Sequence, residues 1–284
     1  MKINKTVITA AGLGTRLLPG TKEHPKEMFP LFVKNESGKV LVKPLLQIVF
    51  EQLHDFGINN FCFIVGRGKR SIEDHFTPDD SLLELLEKNN RTTLSNEMKR
   101  FHKVLEDVDI TWKTQLRPNG FGDAVLKAKS FIQNDTFLLF AGDDFIVSKN
   151  NDFLKRLVET HDRHKAAATV VVERVPDPER YGVVYGKEVQ DGTYKVEKIV
   201  EKPKNPKSNL CVVGVYVFTP KIFECLEETG YNEKGQKELT DAIQLLLDKG
   251  LEVYAEELKP TETRMEIGTP ESYRLTLSKS YDIL

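Results

Sequence analysis

The chain has 284 residues, with 41 Lys and Arg, 43 Asp and Glu, and a formal net charge of −2. Because no overall basic field exists, neither nucleic acid nor an anionic membrane is an expected partner. The longest apolar run, residues 210–218, is far shorter than the about 20 residues that a membrane-spanning helix needs.

Strand and helix patterns alternate through the first half of the chain. Strands are predicted at residues 6–10, 60–65, 109–115 and 137–141, and helices at residues 45–56, 82–105 and 121–131. This alternation predicts an α/β fold in which a largely parallel sheet has helices on both faces. Ligands of such sheets bind beyond the carboxyl ends of the strands, where Gly12, Gly66, Gln115 and Asp143 all fall. We therefore expect one crevice there.

The second half is richer in β-structure, which predicts mixed or antiparallel strands that extend the sheet. Thr240 is predicted to cap the N-terminus of a helix over residues 240–248, and Gly250 its C-terminus. No Pro/Gly/Ser-rich linker divides the chain, so we predict a single domain over residues 1–284, with halves at 1–145 and 146–284. The other predicted strands are residues 167–175, 181–188, 196–201 and 209–218, and the other predicted helices are residues 151–164, 221–228 and 270–280.

The turn after the first strand has the composition of a phosphate site. Small residues at Ala10, Ala11, Gly12 and Gly14 allow backbone N–H groups to approach a ligand, and Arg16 and Lys26 supply two cations. The spacing excludes both a dinucleotide fingerprint and a Walker-type loop. The glycines alone favour an ordinary strand-to-loop turn equally well.

Three other strand ends carry polar side chains. Asp143 is a magnesium candidate, because Mg²⁺ takes one or two carboxylates together with substrate phosphates; alone it would indicate a turn residue. The amide of Gln115 both donates and accepts, which matches the Watson–Crick edge of uracil or thymine. Strand alternation predicts that Glu201 and Lys202 point to opposite faces, one suited to sugar hydroxyls and the other to phosphate.

Two further groups of residues receive no functional role at this point. The basic turn at residues 66–70 is predicted to face solvent, although phosphate or a neighbouring subunit would also suit it. The six histidines show neither zinc spacing nor a catalytic partner, and the three scattered cysteines form no disulfide framework. A reducing, cytoplasmic location is expected.

Taken together, these motifs resemble the sugar-phosphate nucleotidylyltransferases. The matching segments run in family order over nearly the whole chain, which makes the set specific although each member is weak. They are residues 10–16, 25–28, 122–125, 142–143, 181–184, 200–203, 213–214 and 239–243.

The resemblance implies a Rossmann-like nucleotidyltransferase fold. It also implies an enzyme that transfers a uridylyl group from UTP to glucose 1-phosphate and releases pyrophosphate. It implies that residues 146–284 form the sugar-phosphate half, and that the protein is a homo-oligomer, either a dimer or a tetramer. The implied contacts are Arg16 and Lys26 on the triphosphate, Ala10, Ala11, Gly12, Gly14, Gln115 and Gly122 on the nucleotide, Gly182, Glu201 and Gly214 on the sugar, Lys202 on its phosphate and Asp143 on Mg²⁺.

The chain departs from the family pattern at one place. Relatives have a second metal-side aspartate before a glycine near the C-terminus, and here Glu266 precedes Ile267 and Gly268. Glu266 is accordingly a weaker metal candidate than Asp143.

Three alternatives remain open, one of which is a sugar nucleotidyltransferase of broader specificity. A thymidylyltransferase would use dTTP, since thymine shares the Watson–Crick edge of uracil. A non-catalytic subunit that binds a sugar nucleotide would keep the fold, but such a protein could lose its cations and carboxylate, and all of them are present here.

Overall fold

A computed structural model describes residues 3–283. It contains thirteen strands and ten helices, which alternate in the first half as predicted. The strands are β1 (Lys5–Ala10), β2 (Pro30–Lys34), β3 (Val40–Pro44), β4 (Asn60–Gly66), β5 (Asp109–Gln115), β6 (Phe137–Ala141), β7 (Asp144–Val147), β8 (Ala168–Arg174), β9 (Gly182–Gln190), β10 (Thr193–Glu201), β11 (Leu210–Phe218), β12 (Val253–Glu257) and β13 (Thr263–Glu266). The helices are α1 (Leu45–Phe56), α2 (Arg70–His75), α3 (Asp80–Lys88), α4 (Thr92–Glu106), α5 (Phe121–Leu126), α6 (Lys129–Ile132), α7 (Asp152–His164), α8 (Lys221–Glu228), α9 (Leu239–Asp248) and α10 (Pro270–Asp282).

Nine strands form one mixed sheet in the order β5-β4-β1-β6-β11-β8-β12-β10-β9. The first four of these strands run parallel, whereas β11 is antiparallel to both of its neighbours, β6 and β8. Since β6 comes from the first half of the chain and β11 from the second, the two halves share one sheet. The prediction of a Rossmann-like α/β fold with a β-rich second half is confirmed.

Helices cover both faces of this sheet because successive strand residues point to opposite sides. On one face, Val7 and Leu139 pack with residues of α5, α8 and α9. On the other face, Ile8, Phe61 and Phe140 pack with residues of α1 and α7. The buried strands leave the carboxyl ends of β1, β5 and β6 together at one edge, where the cleft lies.

Several predicted boundaries were wrong. The helical stretch at residues 82–105 is two helices, α3 and α4, because Asn90 takes a left-handed conformation between them with φ 54°. The stretch at residues 121–131 is likewise divided between α5 and α6. Helix α9 begins at Leu239 with Glu238 at its N-cap, so Thr240 is not the cap; Lys249 is the C-cap and Gly250 follows it with φ 75°.

A hairpin of β2 and β3 was not predicted, although its turn has a readable signal. The side-chain oxygen of Asn35 accepts from the backbone N–H groups of Ser37 and Lys39, and Gly38 has φ 78°. This Asx turn is typical of a tight connection between strands. Within residues 3–283, no helix is long and apolar enough to cross a membrane.

Candidate active site

One cleft of about 530 Å³ lies at the carboxyl ends of the parallel strands and continues past the start of β9 and the end of β10, over the middle of β11. Both halves of the chain line it. Of the predicted site residues, those on its surface are Ala11, Gly12, Gly14, Lys26, Gln115, Asp143, Gly182, Glu201, Lys202 and Gly214. The remaining four, Ala10, Arg16, Gly122 and Glu266, are not on that surface.

The turn after β1 forms one wall of the cleft. Gly14 has φ 63°, a conformation that glycine adopts without a steric penalty, and its carbonyl accepts from Thr21 Oγ1 at 2.8 Å. A Cβ added to Gly12 would meet only Lys26 Cε, at 3.9 Å, so Gly12 faces open space. The main chain here is thus accessible to a ligand, as predicted for a phosphate site.

Lys26 and Asp143 lie opposite one another and form an ion pair within the cleft. Burial opposes the charge of Lys26, but the Asp143 and Glu27 carboxylates outweigh that effect and raise the pKa of Lys26 above its ordinary value. Burial likewise opposes the charge of Asp143, and Lys26 overcomes it, so the pKa of Asp143 is lowered. Both groups are therefore charged at neutral pH.

Asp143 is the residue that the sequence predicted as a magnesium ligand. Its carboxylate lines the cleft, and its side chain is 28% exposed. Residues 3–283 contain no group of three or more His, Cys, Asp or Glu that could form a protein-only metal site. One carboxylate that is open to phosphate oxygens nevertheless fits Mg²⁺, which keeps waters and substrate oxygens among its ligands.

Glu266 is not among the residues that line the cleft, although its side chain is 33% exposed. Its Oε2 accepts from Arg264 Nη2 at 3.3 Å, and burial raises its pKa. A Cβ added to Gly268 would lie 3.3 Å from Arg16 Nη2 and 3.6 Å from Glu266 Oε2, so Arg16 is next to this carboxylate. Arg16 itself is exposed at the rim, close enough to Lys26 and Lys202 to affect the pKa of each.

Gln115 is placed in the cleft, but its hydrogen-bonding differs from the prediction. Its Nε2 donates to Gly120 O at 3.0 Å and to Asp123 Oδ2 at 2.8 Å. Because a carboxylate at neutral pH only accepts, this contact identifies the amide nitrogen. Both N–H donors are committed to the protein, and only Oε1 is left to accept from a base.

Gly122 packs against the protein, whereas it was predicted to approach a nucleoside. Its N–H donates to Lys237 O at 2.9 Å, and an added Cβ would lie 2.9 Å from the same oxygen. Ala10 is fully buried in the sheet core rather than exposed in the cleft. For both residues, small size permits close packing behind the ligand-facing surface.

Glu201 and Lys202 lie side by side at the other end of the cleft, so the prediction of opposite faces was wrong. Strand β10 ends at Glu201, and Lys202 has φ 41°, which breaks the alternation of side chains. Lys202 Nζ lies 2.6 Å from Glu201 Oε1, and Thr240 Oγ1 donates to Glu201 Oε2 at 2.6 Å. A carboxylate, a hydroxyl and an ammonium group therefore converge here.

Arg264 and Asp144, which sequence reasoning missed, form a largely buried pair that lines the cleft. Arg264 Nε and Nη2 donate to the two carboxylate oxygens of Asp144 at 2.7 and 3.1 Å, and Asp144 Oδ2 also accepts from the Gly214 N–H at 3.2 Å. An added Cβ on Gly214 would lie only 2.5 Å from Ala141 Cβ. The pair thus fixes a glycine that lines the cleft. The sequence did contain a signal for Asp144, since two consecutive aspartates follow Gly142.

The geometry defines a two-ended cleft, with main chain, cation and carboxylate at one end and a polar group suited to hydroxyls and phosphate at the other. A family model described as Nucleotidyl transferase matches residues 5–280. The chain belongs to the nucleotidyl transferase family.

More particularly, the chain is similar to UTP–glucose-1-phosphate uridylyltransferases. It is 38% identical over 251 residues to the protein of that name from Bacillus subtilis strain 168, covering 86% of this chain and 80% of the relative. It matches UDP-glucose pyrophosphorylase in complex with UDP-glucose at 30% identity and a TM-score of 0.85 over 100% of both chains. It also matches the UTP-bound enzyme from Acinetobacter baumannii at 30% identity and a TM-score of 0.83, over 98% of this chain and 93% of the other.

Proposed function

We propose that this protein forms UDP-glucose and pyrophosphate from UTP and glucose 1-phosphate. The observation that carries the proposal is a single cleft with a cation and carboxylate pair, Lys26 and Asp143, at one end and Glu201, Lys202 and Thr240 at the other. Similarity to uridylyltransferases over more than four fifths of the chain gives the reaction its substrates.

In this reaction a phosphate oxygen of glucose 1-phosphate attacks the α-phosphorus of UTP in line, and pyrophosphate leaves. The second pKa of a phosphate monoester is about 6, so the attacking group is already largely dianionic at neutral pH. No protein nucleophile or general base is needed. Catalysis then consists of positioning and of stabilising charge on the transferred and leaving phosphates.

Each cation has a place in this mechanism. Lys26 and Arg16 hold the phosphates that leave as pyrophosphate, and Lys202 orients the attacking phosphate while Glu201 and Thr240 bind sugar hydroxyls. Asp143 would hold Mg²⁺, which when bound neutralises phosphate charge. Glu266, which neighbours Arg264 and Arg16, is the second and weaker candidate to hold this ion, directly or through water.

The base is held by the turn residues Ala11 and Gly12 and by the free Oε1 of Gln115, which accepts from N3–H of uracil. Thymine offers the same N–H, so a thymidylyltransferase that uses dTTP is the second candidate. The deciding experiment is a matrix of UTP, dTTP, ATP and GTP against glucose, galactose and N-acetylglucosamine 1-phosphates, scored by pyrophosphate release. Highest turnover with any pair other than UTP and glucose 1-phosphate would overturn the proposal.

We also propose a cellular location and an oligomeric state for the enzyme. Its three cysteines are free and buried, which suits the reducing cytoplasm. A homo-oligomer, either dimer or tetramer, would cover apolar surface on α3, where Leu82 and Leu85 are 40% and 55% exposed. Light scattering of the purified protein tests the oligomeric state, and a monomer at micromolar concentration would contradict it.

Replacing Lys202 by methionine is expected to raise the KM for glucose 1-phosphate roughly 10- to 100-fold, because a charge-assisted hydrogen bond to phosphate is lost. Binding of UTP, measured by calorimetry, should remain near the wild-type value. Lys204→Met, two residues further along the same exposed loop, is the matched control. If K202M impaired UTP binding alone, the allocation of the cations between the two substrates would be wrong.

A further inference from the structure

The basic turn between β4 and α2 does not simply face solvent, as its composition had predicted. Lys69 is folded inward, and its Nζ donates to Glu27 Oε2 at 2.8 Å. The side chains of Lys69 and Glu27 are only 10% and 2% exposed. Burying an ion pair of this kind costs desolvation energy that can exceed the attraction between the charges. A contribution to stability therefore does not by itself explain why the pair is present.

This ion pair lies at the edge of the candidate active site, because Glu27 lines the cleft and Lys69 does not. Glu27 follows Lys26 in a 3₁₀ turn, Lys26–Met28, and a Cβ added to Gly142 would lie 3.5 Å from Glu27 Cγ. An added Cβ on Gly66, at the end of β4, would lie 2.8 Å from Ala11 O. The end of β4 therefore packs against the main chain at Ala11, and Glu27, the partner of Lys69, packs against the turn that carries Asp143.

Positive and negative side chains alternate between the β4–α2 turn and the cleft. Lys69 pairs with Glu27, Glu27 neighbours Lys26 along the chain, and Lys26 pairs with Asp143. Without Lys69, the buried Glu27 carboxylate would have Lys26 as its nearest cation. Lys26 would then be drawn toward Glu27 and away from the phosphates that it has to hold.

We propose that Lys69 is a positioning residue, which holds Glu27 and thereby leaves Lys26 directed into the cleft toward the triphosphate. The inference rests on the proposed function, since it concerns how the triphosphate is held. It assigns a role to a residue that does not line the cleft.

The experiment compares four full-length proteins in steady-state UDP-glucose formation: the wild type, K69M, K69M/E27Q and K43M. Lys43 pairs with Glu51 at 2.7 Å with similarly low exposure, 14% and 18%, and does not line the cleft. Thermal unfolding of each protein reports stability separately. Wild-type turnover tests the proposed function, and the ratio of each variant to wild type tests the role of Lys69.

For K69M we expect kcat to fall roughly 10- to 100-fold, as for other groups that orient a reacting residue from behind. The KM for UTP should rise, and the KM for glucose 1-phosphate should stay within about twofold because Lys202 and Glu201 are unaffected. K69M/E27Q should recover most of kcat, since no carboxylate is left to compete for Lys26. K43M should lose a similar amount of stability without a change in kcat.

Two results would overturn the proposal. One is K69M with wild-type kinetic constants and only the loss of stability seen in K43M, which would make the pair purely structural. The other is K69M/E27Q that is as slow as K69M. Should K69M fail to fold, K69Q keeps a donor to Glu27 without its charge, and the same directions of change apply to it.

Discussion

The Asp143→Asn variant is expected to lose about 10³-fold in turnover with UTP and glucose 1-phosphate. Asparagine has nearly the same size but lacks the anion that pairs with Lys26 and would bind Mg²⁺. The cleft would retain its shape but lose the negative charge of the Asp143 carboxylate. The measurement is UDP-glucose formation as a function of Mg²⁺ concentration.

A matched control is Asp152→Asn, at the exposed start of α7, which should leave turnover unchanged. D143N should also need a higher Mg²⁺ concentration for half-maximal rate than the wild type does. Removal of divalent ions with a chelator should abolish wild-type activity and add little to the loss in D143N. Near-normal turnover of D143N at low Mg²⁺ would contradict the assignment of the metal to Asp143.

Arg264→Met is expected to lower the free energy of unfolding by about 3–5 kcal/mol, because it leaves Asp144 as a buried, unpaired carboxylate. In a chain of this length, that corresponds to a fall in Tm of roughly 6–10 °C. The side chains of Arg264 and Asp144 are each only 9% exposed, so water cannot easily replace the lost partner. Denaturant and thermal unfolding both measure the change.

The double variant R264M/D144N should recover part of that loss, since an amide oxygen can still accept from the Gly214 N–H without carrying charge. Arg156→Met, which breaks the Arg156–Glu262 pair, serves as a control. R156M should reduce stability alone, whereas R264M should also raise the KM for glucose 1-phosphate because Arg264 and Gly214 both line the cleft. A loss below about 1 kcal/mol in R264M would show that the pair is not a major source of stability.

The position of the site could be predicted from the sequence because it follows from a rule about strands. Parallel strands that alternate with helices bring their carboxyl ends to one edge. Lys26 and Asp143 are more than a hundred positions apart in the sequence, yet each follows a recognisable strand or belongs to a recognisable motif. They meet in the cleft because of the order and direction of the strands, which the alternation of strands and helices in the sequence predicts.

The contacts of individual side chains could not be predicted in the same way. Gln115 uses its amide on Asp123, a residue of the next helix, and Lys69 reaches Glu27 across the fold. Both outcomes depend on side-chain packing that no local pattern encodes. Lys202 leaves the strand alternation because its backbone has φ 41°, and this followed from neither its residue type nor its neighbours.

The adjacency of β6 and β11 has a consequence for how the enzyme could be altered. Gly214 on β11 lies against Ala141 on β6, and main-chain hydrogen bonds hold the two strands at the usual spacing of about 4.8 Å. The separation between the proposed nucleotide and sugar subsites is thus set by the backbone. Substitutions at Thr240 could therefore change which sugar is accepted. The alignment of the two phosphates would be preserved, because the main chain and not this side chain sets the distance between them.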